Sequence, residues 1–128
     1  MPCAICKRAA WSSSSAAYLT GFLFGKKALA NDVDETILDI GLQPSIKGTK
    51  IYSVLKGAVD AGLYVPHNDS ILPEESRIRG EHIASYAESM DDAERESKFS
   101  NYIKNGLSPM EIPDHFDSVK QKIDEAIE

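Results

Sequence analysis

Residues 35–65, ETILDIGLQPSIKGTKIYSVLKGAVDAGLYV, are the stretch on which the fold turns. Glu35 to Gly41 is short, rich in β-branched side chains and ended by glycine, the pattern of a buried strand. Gly41 to Thr49 is punctuated by glycine and proline and reads as a loop. From Lys50 to Ala61 the apolar residues Ile51, Val54, Leu55, Ala58 and Val59 recur at helical spacing, and Gly62 supplies a stop. Leu63-Tyr64-Val65 is then a very short strand closed by Pro66. Strand, helix, strand predicts a parallel pair joined by a right-handed crossover, and so an α/β fold. Parallel sheets are normally covered on both faces and built from several strands. One good strand and one poor one therefore predict a partial sheet.

On the N-terminal side, a helix is expected from about Ala16 to Ala30, with Leu19, Phe22 and Leu23 on one side and Lys26 and Lys27 in its last turns. One of Ser13, Ser14 or Ser15 is its expected N-cap. Gly21 and Gly25 stand four apart, a spacing that lets a neighbouring element come close. On the C-terminal side the chain is helical and polar. Pro73-Glu74-Glu75 opens a helix through about Glu88, with Ile78, Ile83, Ala84 and Ala87 as its apolar positions, and Asp92 to Asn105 forms a weaker one. Ser108-Pro-Met-Glu111 has capping-box spacing, and the last helix, from about Asp114, carries Phe116, Val119, Ile123 and Ile127 on one face. Residues 1–66 thus form an α/β core and 67–128 a helical C-terminal extension, within one globular unit.

A chain of 128 residues with 42% hydrophobic content has room for one domain. Its longest apolar stretch, Ala16 to Phe24, falls short of a bilayer span, and the N-terminus lacks the pattern of a secretory signal, so a cytoplasmic location without membrane contact is expected. The net charge of −6 is unevenly spread: seven Lys or Arg face five Asp or Glu up to Pro66, and seven face fifteen from His67 onward. An acidic C-terminal surface repels polyanions, which leaves the first half and local clusters to meet one.

Cys3 and Cys6 make one C-x-x-C, and no paired histidines accompany them to complete a zinc site; two thiols near a chain end, with no metal and no cofactor, are expected. No phosphate-cradling glycine loop, nucleophile elbow or H-E-x-x-H is present, so no enzyme is expected. Asp39, at a strand end, reads as a structural hydrogen-bond acceptor. Short basic clusters stand out: Lys7 and Arg8 with Trp11 nearby, Lys47 and Lys50 around Gly48, and Arg77, Arg79 and His82 flanking Gly80. Each has the chemistry of a phosphate contact, with glycines that let a backbone approach RNA. The competing reading is an acidic helical module that binds a basic protein.

Three blocks carry a resemblance: AAYLTGFLFGKKAL from Ala16, the long block from Ile37 to Glu88 that holds DIGL, GAVDAGLYVPH and RIRGEHIASYAE, and FSNYIKNGLSPMEIPDHFDSVKQKI from Phe99. Together they closely resemble the archaeal members of the L eighteen family of large-subunit ribosomal proteins, whose eukaryotic counterpart also binds 5S rRNA. The resemblance implies that the chain matches the C-terminal portion of a member, with a partial sheet of ribonuclease-H-like topology. It also implies a structural role in anchoring 5S rRNA in the central protuberance, with large-subunit rRNA and neighbouring ribosomal proteins as partners. RNA proximity carries over to Lys47, Lys50, Arg77, Arg79 and His82, whereas Lys7, Arg8 and Trp11 rest on their chemistry alone.

Overall fold

The structure, a computed structural model, describes residues 14–104, 106 and 108–127. The chain winds through α1 (Ser14–Ala30), an irregular segment, and α2 (Lys50–Asp60), then α3 (Glu75–Arg79), α4 (Glu81–Glu88), α5 (Asp92–Lys98), α6 (Ser100–Lys104) and α7 (Ile112–Ile127). Among these residues no helix is long and apolar enough to cross a membrane.

The α/β expectation is overturned. No strand or sheet forms among the described residues, and with it goes the partial ribonuclease-H-like sheet. What survives of the parallel pair is one isolated bridge, Glu35 to Tyr64, in which Thr36 N donates to Tyr64 O at 3.0 Å and Tyr64 N to Asp34 O at 2.9 Å. The reason is one of hydrogen-bond supply. Leu63-Tyr64-Val65 is three residues long and closes on Pro66, which has no N–H to extend a ladder. Residues 36–40 keep an alternating habit, with Thr36, Leu38 and Ile40 half-buried and Ile37 87% exposed. The sequence period was that of a strand. A ladder also needs a neighbour along its whole length.

Helices α1 and α2 form the heart of the molecule, and their glycines make it possible. A Cβ on Gly21 would run into the Val54 backbone and one on Gly57 into the Tyr18 carbonyl, so the two backbones touch where any side chain would hold them apart. The Gly21/Gly25 spacing therefore serves a helix partner. On one side of this pair Tyr18, Phe22, Ala61, Ile78 and Phe116 pack together; on the other Tyr52, Leu55, Ala58, Leu63 and Val65 do. Helix α7 packs Phe116 and Ile123 onto the cluster that holds Tyr18 and Phe22 of α1 and buries Val119 as well, as the sequence face predicts.

The helix ends differ from expectation in instructive ways. Helix α1 already includes Ser14 and Ser15, so neither caps it, while the Ser13 alternative lies outside the described residues. The expected helix through Glu88 breaks at Gly80, whose φ of +82° ends α3 and starts α4. A Cβ there would sit 2.6 Å from Ile112 Cγ2, so the break lets the start of α7 approach. The helix expected over 92–105 is interrupted at Phe99. Ser108 makes no capping hydrogen bond; residues Pro109–Glu111 form a 3₁₀ turn instead, and α7 begins at Ile112.

Candidate nucleic-acid interface

The loop before α2 is a turn stretched towards the chain that leads into α3. Gly48 takes a left-handed φ of +72° and donates its N–H to Ile71 O at 3.0 Å. Thr49 follows in extended conformation as the N-cap residue, yet its side chain makes no capping bond; Oγ1 is buried without a hydrogen-bond partner among the described residues. The first turn of α2 holds no acidic residue either. Its leading N–H groups have no intrahelical acceptor, and neither usual substitute is supplied by the chain.

This helix start opens into a cleft of about 890 Å³. Lys47, Thr49 and Lys50 line one wall, and Leu72, Glu74 and Arg77 the other. Two of the basic clusters read separately in the sequence thus meet across one depression. Lys47, Lys50 and Arg77 are exposed, and no ion pair joins any of them to an acidic group among the described residues. Three cations against the single carboxylate of Glu74 make the cleft a locally positive place on an acidic chain.

Arg79 goes elsewhere. Its Nη2 donates to Asp117 Oδ2 at 2.6 Å, with Glu81 at 3.8 Å from Nη1, so its guanidinium ties α3 to α7. It borders a smaller cavity of about 270 Å³ shared with Tyr18, Asp60 and Lys120. There the Tyr18 hydroxyl donates to Asp60 Oδ2 at 2.5 Å and accepts from Lys120 Nζ at 3.1 Å. Burial, reinforced by the Asp60 carboxylate, holds the Tyr18 phenol well above its ordinary range, so it stays a neutral donor. His82, on the exposed side of α4, has its pKa lowered by partial burial and by the Arg77 charge, which makes it a neutral hydrogen-bonding group at neutral pH. Asp39 accepts the Gly41 N–H at 2.8 Å, the structural role read from the sequence.

Lys7, Arg8 and Trp11, with Cys3 and Cys6, lie outside the described residues. Within them no group of three or more metal-ligating side chains converges. Sequence reasoning did not single out Thr49 or Glu74, because both belong to the site through their position across the cleft rather than through any motif. It also passed over the Tyr18–Asp60–Lys120 network, whose members are 42 and 102 residues apart along the chain.

Comparison with known proteins fits this picture. Residues 31–68 match the family model described as ribosomal large subunit proteins 60S L5 and 50S L18. The large ribosomal subunit protein uL18 of Methanosphaera stadtmanae is 80% identical over 114 residues, covering 89% of this chain and 59% of that protein. Those of Methanothermobacter thermautotrophicus and Thermofilum pendens are 58% and 49% identical, each over 91% of this chain. The chain spans about three-fifths of the length of these relatives, 59% to 61%. By these matches the chain is similar, over about nine-tenths of its length, to part of the archaeal large ribosomal subunit proteins uL18.

Proposed function

We propose that this chain acts as a structural, non-enzymatic constituent of the large ribosomal subunit in the cytoplasm, binding 5S rRNA and helping to anchor it in the central protuberance. The observation that carries this reading is the 80% identity to a uL18 protein over 89% of the chain. The positive cleft supports it, since phosphate contacts position a protein on RNA without reading sequence. In this reading Lys47, Lys50 and Arg77 face the RNA directly and His82 adds a neutral hydrogen-bonding group beside them. Arg79, held by Asp117, contributes by keeping α3 and α7 in register. Lys7, Arg8 and Trp11 join the interface on their chemistry. Neighbouring ribosomal proteins meet the acidic remainder of the C-terminal half, away from the cleft, where RNA is repelled.

The test is mass spectrometry of salt-washed large subunits from the source organism. Peptides from Ile51 to Arg77 at one copy per subunit are expected, together with retention of a 5S rRNA transcript by the purified chain. Peptides found in the cytosol and missing from ribosomes would replace this reading with that of an acidic interaction module.

A further inference from the structure

We infer that the loop at 39–48 is a wedge that holds Leu42 out as an apolar side chain to pack against an unstacked base of the RNA. The inference deepens the rRNA reading and rests on it for the strand. Phosphate contact by Lys47 and Lys50 belongs to that reading; the base contact through Leu42 goes beyond it.

The loop is tied down at four points. Asp39 Oδ1 holds the Gly41 N–H at 2.8 Å, and Gln43 N donates to Ile40 O at 3.1 Å across a tight turn that has Gly41 at a φ of +57°. Ser45 Oγ hydrogen-bonds the hydroxyl of buried Tyr52, and Gly48 N donates to Ile71 O at 3.0 Å. At the tip of that turn Leu42 is wholly exposed, at 104%, and Ile46 is exposed after it. A single exposed leucine is ordinary. Ordering a loop costs conformational entropy, however, and here the ordering buries nothing of Leu42. Such a side chain is pre-organised for a partner, which is spared the cost of fixing it. Charge says which partner. From Ile40 to Val59 the chain carries Lys47, Lys50 and Lys56 and no Asp or Glu, within a molecule of net charge −6. A basic protein is disfavoured there and a polyanion is drawn in. No more than about 18 Å of chain separates Leu42 from Lys47, so one short strand meets both. RNA presents apolar base faces beside charged phosphates wherever its bases are unpaired, and an aliphatic side chain can lie against or between them.

The experiment uses the whole chain and two probes, a 5S rRNA transcript and a fully paired RNA duplex of the same length, with affinity measured over a salt series. Leu42→Ala is expected to weaken binding to the transcript about tenfold at every salt concentration, the loss of part of one leucine's apolar contact. The line of log affinity against log salt should drop without changing slope, because no phosphate contact is lost, whereas Lys50→Gln should make it shallower. Duplex binding should not respond to Leu42→Ala, since a stacked base offers no free face. Leu42→Phe should hold the transcript at least as well as the parent, because a ring stacks on any base. Asp39→Asn and Asp39→Ala remove the same charge, but Asn still accepts the Gly41 N–H, so the Asn variant should bind the transcript better than the Ala variant. The unfolding midpoints of the Leu42 variants should match the parent's, as expected for a side chain exposed at 104%.

A transcript affinity indifferent to Leu42→Ala, an equal loss on the duplex, or a salt slope that flattens with the change would each overturn the wedge and leave the rRNA reading in place. A Leu42→Ala chain that binds RNA like the parent yet enters large subunits poorly would assign Leu42 to a protein pocket and overturn the wedge as well. A parent chain that binds neither probe would remove the rRNA reading and the wedge together.

Discussion

Gly57 shows how much a missing methyl can decide. Alanine is the better helix former by about 1 kcal/mol, so on an isolated α2 the change Gly57→Ala would help. Here the new Cβ would meet the Tyr18 carbonyl and lie 2.8 Å from Phe22 N, both backbone atoms that cannot step aside. Gly57→Ala is expected to destabilise the fold by about 1 to 3 kcal/mol, seen as a lowered midpoint in thermal or urea unfolding. A midpoint equal to or above that of the parent chain would show that α1 and α2 can separate slightly without loss. His82 offers a second check. Its folded pKa lies below the ordinary 6.5, so the unfolded chain takes up a proton more readily than the folded one. Stability from this group is fully present above pH 6.5 and is lost as pH falls through the depressed folded value. Arg77→Gln removes the second of its two causes, and an NMR titration should then show the His82 pKa moving up towards 6.5. No movement would mean that burial alone sets it.

At the scale of elements, the junction between α4 and α5 hangs on one side chain. Arg95 Nε donates to Ala87 O and Nη2 to Met90 O, both at 3.0 Å, so the guanidinium closes the carbonyl end of α4 and fastens α5 to it. Its bond to Asp92 at 2.9 Å completes the clamp, though Asp92 is almost fully exposed and adds little. Arg95→Met keeps the aliphatic stem and removes the donors. Hydrogen exchange over residues 92–104 should quicken by an order of magnitude or more while α1 and α2 keep their protection. Equal quickening throughout would mean that the junction belongs to the same cooperative unit as the core. Arg95 could not be found from the sequence, where it sits among acids as one surface cation; its partners are main-chain oxygens, which leave no trace in residue types. The Phe116/Val119 face was legible because burial on one side of a helix imprints a period; on α2 only Leu55 and Ala58 of the periodic face are buried, and Tyr52, Ser53 and Gly57, off that face, are buried with them. The strand at 35–41 misled for the complementary reason: alternation records which side chains are half-buried, and says nothing of whether a neighbour supplies the ladder. Lys47, Lys50 and Arg77 were legible as residue types. Their meeting across one cleft was not, since it depends on how the chain between α2 and α3 turns back at Ile71 to bond Gly48.

Taken as a whole, the molecule carries a net charge of −6 and a set of exposed apolar side chains along its irregular segment: Ile37 at 87% exposure, Leu42 at 104% and Ile46 at 57%, with Tyr64 at 61% beside the lone bridge. These two properties oppose each other. Like charge keeps copies apart in dilute salt, and screening shortens its reach to about 10 Å at 0.1 M, where the apolar surfaces can meet. Salt should therefore act with opposite signs on the chain's two associations, weakening its hold on a phosphate and strengthening contact between copies. Sedimentation velocity of the isolated chain should show a monomer in very low salt and a concentration-dependent rise in mean mass as salt increases. The double change Ile37→Glu with Leu42→Glu removes apolar surface and adds charge at positions that touch little else, so it should keep the chain monomeric in both conditions without lowering its unfolding midpoint. A parent chain that stays monomeric at high salt and high concentration, with a sharp unfolding transition independent of concentration, would show that this surface is tolerated by the folded chain on its own.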